Sequence, residues 1–331
     1  MNKEISTIDI IKKISINKDR LGAIFEHAEL GKKSFFHPNL KRTEELKRFV
    51  VDYAYESENE KQYLGIQEAN PLLGKMLKHA NITLNIGDNE KNQGVKNDHS
   101  KHWVFDDKVI ITGGINVGDE YYKWHDYMLK MESPLLVQKM KSRLHGNDDF
   151  DNGSSIEFVL NKVESGVVTE KEIEPKVIEL IQSAKERITI EMAYFGDLDI
   201  ANAIIEKANN GVPVEIILPS EANIQDDLNK EVMQKILDET NGNVSVYFFP
   251  RMLHAKLINV DHEKTFIGSA NLNERAMESL GEFNLLINDK DCKFTEEVVN
   301  ELRENIEISV KFIPPPKITF SKIKAFFERA I

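Results

Sequence analysis

A short pattern that occurs twice at one fixed distance constrains this chain more than any other feature. His254-Ala255-Lys256, Asp261 and Gly268-Ser269-Ala270-Asn271 repeat an earlier set 155 positions upstream: His99-Ser100-Lys101, Asp106 and Gly113-Gly114-Ile115-Asn116. A single His-x-Lys arises by chance. Two copies in which His, Lys, Asp, Gly and Asn all keep their spacing do not, and self-similarity at a fixed period marks a duplicated architecture.

The periodicity around the copies gives the fold class. In the second half, helical spacing predicts helices over Glu174–Arg187, Ile200–Ala208 and Asp226–Glu239. Apolar runs predict strands over Ile188–Phe195, Val212–Leu218 and Val244–Phe249, and the second helix stops at Asn209-Asn210-Gly211. Strands alternating with helices imply an α/β layer fold. With the repeat, this becomes two pseudo-symmetric α/β/α halves sharing one site at their interface. The expected divisions are 1–150 for a first, abbreviated half with a helical N-terminus, 151–312 for the second half, and 313–331 for a tail. The turn-rich run 146–155 separates the halves.

The first half is harder to read. Ile8, Ile11, Ile14, Leu21, Ile24, Phe25 and Ala28 recur at helical spacing, so 1–31 reads as helical. Residues 32–66 are ambiguous. Pro71–Ala80 reads as a helix, Ile82–Ile86 as a strand and 87–98 as a loop. Residues 99–105 and 108–112 read as two strands around an Asp106-Asp107 turn, with His99 and Lys101 on one face.

Composition narrows the partners. The net charge is −12 over 331 residues, a poor electrostatic match for nucleic acid, which argues against that partner without a local basic patch. Cys292 is the only cysteine, so no intrachain disulfide forms, and no apolar run approaches the roughly 20 residues that span a bilayer. The N-terminus lacks the apolar stretch of a signal peptide. The expected location is cytoplasmic, at most peripheral to a membrane. After Pro314-Pro315-Pro316, Phe320, Ile323, Phe326, Phe327 and Ala330 make an apolar stripe beside Lys317, Lys322, Lys324 and Arg329. Such a segment either packs on the core or lies in a membrane interface through 317–331.

The paired His-x-Lys-x4-Asp motifs resemble those of the phospholipase D superfamily. Gly113-Gly114-Ile115-Asn116-Val117-Gly118-Asp119-Glu120-Tyr121 and Gly268-Ser269-Ala270-Asn271-Leu272 look most like its bacterial cardiolipin synthase branch. The resemblance implies a phospholipid substrate such as phosphatidylglycerol. It also implies a phosphatidyltransferase or phospholipase D working through a covalent phosphohistidine, with the N-terminal histidine, His99, as nucleophile. A carboxylate beyond each motif then orients a histidine, and Asp126 and Glu282 are the candidates. A phosphodiesterase on nucleic acid, or a silent membrane-associated scaffold, would share the fold. The charge speaks against the first, and the intact motifs against the second.

The chemistry follows from the residue types. Cleavage of a phosphodiester in two displacements needs a nucleophilic imidazole and a second imidazole to protonate the leaving alkoxide, then to act as base. His99 and His254 supply the pair, titrating as a coupled unit. Lys101 and Lys256 offer compact positive charge to the non-bridging oxygens. Asn116, Asn271 and Ser269 are candidate phosphate-binding groups. Asp106 and Asp261 complete the motifs and, falling near hairpin turns, are expected to brace the structure. No Cys/His cluster has metal-ligand spacing, and the scheme calls for no metal or cofactor. His102, His125 and His262 have no counterpart in the other copy and read as structural or solvated. Trp103 and Trp124 read as core or pocket wall.

Overall fold

The computed structural model describes residues 8–12, 99–105, 108–114, 124–144, 155–164, 167–288, 293–312 and 321–329. The described elements of the first part are β1 (Ile8–Lys12), β2 (His102–Phe105), β3 (Val109–Gly113), β4 (Tyr127–Glu132) and α1 (Pro134–Leu144). There follow β5 (Ile156–Glu164), β6 (Val167–Lys171), α2 (Ile173–Ser183), β7 (Ile188–Met192), α3 (Leu198–Asn209), β8 (Val214–Pro219), α4 (Asp226–Glu239) and β9 (Val244–Phe249). The last are β10 (Lys256–Val260), β11 (Lys264–Gly268), α5 (Glu274–Glu278), β12 (Glu282–Asn288), α6 (Lys293–Ile308), β13 (Val310–Lys311) and α7 (Lys322–Glu328).

The strands form two sheets, β1-β4-β3-β2 and β13-β9-β8-β7-β10-β11-β12-β5-β6. The duplication is written in the pairing. The antiparallel order β1-β4-β3-β2 recurs as β5-β12-β11-β10 in the larger sheet. β3 and β11 keep the motif offset residue for residue, Val109–Gly113 against Lys264–Gly268. Beyond β10 the larger sheet continues through parallel β7, β8 and β9, linked by α3 and α4 as crossover helices. This is the α/β class the sequence implied.

Period-two alternation sends neighbouring residues to opposite faces. Ile216 packs with Ile190, Val246 and the inner sides of α2, α3 and α4. Ile217, one residue on, joins Phe249, Leu257, Phe283 and Leu285 on the other face. That second core also takes Ile110, Leu129 and Met131 from the smaller sheet, together with Val137 of α1 and Val298 of α6. One continuous apolar core therefore holds the two motif-bearing hairpins together, and burial of such side chains contributes on the order of 1.5–3 kcal/mol each.

Several expectations are corrected. Ile8–Lys12 is a strand, not helix: it pairs antiparallel with β4, Ile10 opposite Leu129. A β-branched Ile-Asp-Ile-Ile run fits helical spacing on paper, but an unpaired strand edge in tertiary contact decides the outcome. α2 ends at Ser183 rather than Arg187, because Ala184 turns extended and the carboxylate of Asp261 takes the next backbone N–H groups. β7 ends at Met192, where Asn229 captures the chain by donating to the Ala193 carbonyl and accepting from Phe195 N–H. His99 and Lys101 lie in the extended run before β2, not within it. The readings for 13–31, 32–66, Pro71–Ala80, Ile82–Ile86, 87–98, the Asp106-Asp107 turn and 146–154 lie outside the described residues. Among the described residues no helix is long and apolar enough to cross a membrane.

Candidate active site

β10 and the run before β2 deliver the two motif lysines. Each folds back in the same way: Lys101 Nζ donates to the His99 carbonyl at 2.5 Å, and Lys256 Nζ donates to the His254 carbonyl. Thr112 Oγ1 and Gly113 N–H both donate to the Lys101 carbonyl, fixing that backbone against β3. His254 N–H donates to the His125 carbonyl at 2.6 Å, and His99 N–H to the Gly281 carbonyl at 2.7 Å. Each motif histidine thus hangs from backbone of the other half.

The carboxylates repeat that exchange. Asp126 Oδ2 lies 2.7 Å from His254 Nδ1, and Glu282 Oε1 lies 2.9 Å from His99 Nδ1. All four side chains are buried, as are both lysines. The separation of Asp126 from Glu282 is one residue longer than the motif repeat, and strand register explains it. Gly113 pairs with Met128 and Gly268 with Asn284, so each carboxylate stands two residues before the partner of its motif glycine. The halves close on one another at Gly114: a Cβ there would meet Asp126 Oδ1 at 2.6 Å and Lys256 Cδ at 3.0 Å.

Burial and mutual charge set the protonation. Desolvation, then Lys256, bring His254 down to about 3 against the support of Asp126. Desolvation, then Lys101, Lys256 and Arg275, hold His99 well below the usual imidazole range. Desolvation lowers Lys256 to about 7, with Lys101 adding to the effect. Desolvation raises Glu282 to about 7, opposed by Lys101 and a hydrogen bond from Ser269. Burial and the adjacent lysines outweigh the two carboxylates and hold both imidazoles neutral. An entering phosphodiester monoanion offsets the lysines and lifts the histidines.

The remaining predicted residues divide. Asn271 is buried, its Oδ1 without a hydrogen-bond partner among the described residues. The hydroxyl of Ser269, expected at the phosphate, donates to Glu282 Oε2 and accepts from Phe283 N–H, so it braces the orienting carboxylate. Asp261 sits in the β10–β11 turn, where it accepts from the N–H groups of Lys185, Glu186 and Arg187, away from His254. Asp106, Asn116 and the side chain of Trp103 lie outside the described residues. Trp124 walls His254, ring centroids 5.2 Å apart, and Tyr194 meets it edge-on at 5.9 Å.

A buried network behind Asp126 escaped the sequence reading. Tyr127 Oη donates to Glu191 Oε2 at 2.5 Å, lies 3.0 Å from His125 Nε2 and accepts from Asn305, which also donates to Glu191 Oε1. His125 is therefore structural and buried, not solvated. Glu191, one charge inside an apolar strand, was the available signal, since buried charge requires partners. Arg275, four residues past Asn271, also escaped notice, though its charge reaches His99 and Glu282.

The sequence of this chain is similar to that of phospholipase D-like proteins. Among them, the sequence similarity lies with the cardiolipin synthase branch: residues 177–307 match the family model described as "Cardiolipin synthase, PLD-like domain". The minor cardiolipin synthase ClsB of Bacillus subtilis is 27% identical over 234 residues, 65% of this chain and 57% of that protein. A cardiolipin synthase of Clostridium perfringens is 28% identical over 231 residues, 60% of this chain and 48% of that protein. The chain thus spans about half the length of the curated relatives it matches. The solved phosphatidylserine synthase of Haemophilus influenzae shares the fold at 13% identity, with a TM-score of 0.63 covering 97% of this chain and 91% of that one.

Proposed function

We propose that this chain is a cardiolipin synthase-like phosphatidyltransferase or phospholipase D, acting on phospholipid phosphodiesters through a covalent phosphohistidine. The observation that carries the reading is the crossed pairing of Asp126 with His254 and of Glu282 with His99. Such pairing supports a fixed ring and an Nδ1 proton on each histidine, which turns Nε2 to the chemistry; at His254 that atom lies 3.2 Å from Lys256 Nζ, the cation that would pass to the phosphate.

In the first step His99 Nε2 forms a bond to phosphorus as the P–O bond to the leaving alcohol breaks. The imidazolium of His254, supported by Asp126, gives its proton to the departing oxygen. Lys101, Lys256 and Asn271 balance the charge on the equatorial oxygens. In the second step an incoming alcohol gives its proton to His254 and attacks phosphorus, and the N–P bond breaks. Water in place of alcohol gives hydrolysis. The partner is a phospholipid surface, approached through 317–331, with phosphatidylglycerol the expected donor.

The test is incubation with phosphatidylglycerol vesicles, with and without a simple primary alcohol, followed by lipid analysis. Cardiolipin, phosphatidic acid or phosphatidyl-alcohol each supports the reading and names the acceptor. Unchanged lipid alongside cleavage of single-stranded DNA would replace it with the nuclease alternative.

A further inference from the structure

Three large apolar side chains stand exposed on α7, a helix of seven residues: Ile323 at 73%, Phe326 at 70% and Phe327 at 64%. The helix is not loosely held. Ala325 is fully buried, Gln225 Nε2 donates to the Glu328 carbonyl, and Leu228 N–H donates to Glu328 Oε2 at 2.9 Å. Ser321 N–H donates to Asp227, its hydroxyl caps the helix at Lys324 N–H, and Arg329 pairs with Glu231. One side of α7 is committed to α4, which fixes the apolar side outward.

The seat of α7 is the rim of the candidate active site. Arg329 donates to the Gly196 carbonyl at 3.3 Å, and the N–H groups of Gly196 and Asp197 donate to the Leu272 carbonyl, next to Asn271. Asn273, on the other side of Leu272, donates to Gln225 Oε1 at 2.8 Å. Tyr194, two residues before Gly196, is the ring that meets His254. Leu198 and Ile224, each 43% exposed, adjoin residues of this same seat. The apolar face and the segments that flank the site, 194–197 and 271–273, therefore occupy one end of the sheet, at the C-terminal ends of β7 and β8.

The charge on the helix identifies what covers it. Lys322 and Lys324 are exposed, with Lys324 Nζ 3.6 Å from Asp227, whereas Glu328 is turned inward to Leu228. In a chain of net charge −12, this segment shows lysines and apolar rings together, the pattern of an interfacial helix. A second copy is a poorer fit, because a stable interface covers roughly 800 Å² per partner, more than two helical turns present.

We propose that α7 docks the protein on an anionic phospholipid surface, with Ile323, Phe326 and Phe327 below headgroup level and Lys322 and Lys324 at it, so that the rim carrying Asn271 and His254 faces the bilayer. This rests on the lipid-substrate reading above and adds where the bilayer lies. The test is vesicle flotation of the full chain with phosphatidylcholine alone or mixed with phosphatidylglycerol. It compares the wild type with an Ile323→Ser/Phe326→Ser/Phe327→Ser variant and a Lys322→Glu/Lys324→Glu variant, each checked for fold by circular dichroism. Cleavage of a soluble short-chain phosphodiester is measured in parallel. The triple variant is expected to bind mixed vesicles at least tenfold more weakly, and the lysine variant to lose its preference for them, both with unchanged rates on the soluble substrate. Wild-type flotation by the triple variant overturns the proposal. So does a wild-type dimer that the triple substitution splits without any vesicle binding by either protein. If flotation depends on the three side chains while no phosphodiester is cleaved, the docking surface stands and the catalytic reading falls.

Discussion

Asp126 and His254 come from different copies of one motif, yet Asp126 Oδ2 faces His254 Nδ1 at 2.7 Å. Glu282 and His99 make the reciprocal pair. Neither half holds a complete histidine–carboxylate unit of its own, so site and interface are one object.

The first prediction follows from that exchange. Asp126→Asn and Glu282→Gln are each expected to lower kcat by about 10²- to 10⁴-fold, since an amide in place of the carboxylate favours the wrong tautomer of its histidine. Asp261→Asn should leave kcat intact. It should instead lower stability by about 1–3 kcal/mol, having weakened three charge-assisted backbone hydrogen bonds. Those bonds hold the Asp261 carboxyl below its usual range, so its contribution is present above the ordinary carboxylate pKa and is lost as pH falls through the folded value. Steady-state kinetics and urea unfolding separate the two aspartates.

How much of this was legible in the sequence depends on what spacing can encode. The hairpins, α4 and β9 were legible because their local periodicity and their final packing agree. Asp126 and Glu282 were legible as candidates, but their partners were not. A separation along the chain does not say which half a side chain will face, and the extra residue between them is explained only by the β3–β4 and β11–β12 registers. β1 was misread because its strand conformation comes from the edge of β4, 115 or more residues away. The contacts of Ser269 were not legible, because a hydroxyl at hydrogen-bonding distance from both Glu282 and Phe283 cannot be read from its neighbours in sequence.

A second prediction concerns the two imidazoles. His99→Ala and His254→Ala should each abolish turnover, by more than the ~10²- to 10⁴-fold attributable to general acid–base loss where the nucleophile is removed. Denaturing at alkaline pH during turnover of a phosphorus-labelled lipid, which spares the acid-labile N–P bond, then peptide mapping, should place the label on His99. Its partner Glu282 has a carboxyl raised toward neutrality and supports a cation less than Asp126 supports His254. Label on His254 would exchange the roles. Because lysines supply the positive charge, EDTA should leave the rate unchanged.

The pH dependence is the third. Below about 7 Glu282 holds its proton, which turns His99 Nδ1 into an acceptor and places the ring proton on Nε2, blocking attack. Above about 7 Lys256 loses its proton and with it a charge for the phosphate. The kcat/KM profile, which reports the free enzyme, should therefore be a narrow bell centred near neutrality. Glu282→Gln should remove the acid limb while lowering the rate. Lys256→Arg should move the alkaline limb upward, because guanidinium stays charged. A profile that keeps its acid limb in Glu282→Gln assigns that limb to another group.

The last prediction tests the contact on which the crossed site depends. Gly114 donates its N–H to the Tyr127 carbonyl and leaves no room for a side chain, with Asp126 Oδ1 and Lys256 Cδ both inside normal contact distance of a Cβ. Asp126 cannot swing away freely, because Oδ1 also accepts from Tyr127 N–H at 2.7 Å. Gly114→Ala must therefore push either the carboxylate off His254 or the lysine off the phosphate position. Overpacking of this kind costs about 1–3 kcal/mol, and misplacing a catalytic group by about 1 Å costs on the order of 10²-fold in rate. Gly211→Ala is the control. Its φ of +94° disfavours alanine, but a Cβ there meets nothing within 4 Å, so it should cost stability without touching kcat. Should both variants lose stability alike and both keep full kcat, the closeness of the halves at Gly114 would serve packing alone, and the alignment of Asp126 on His254 would have to come from the Tyr127–Glu191–Asn305 network behind it.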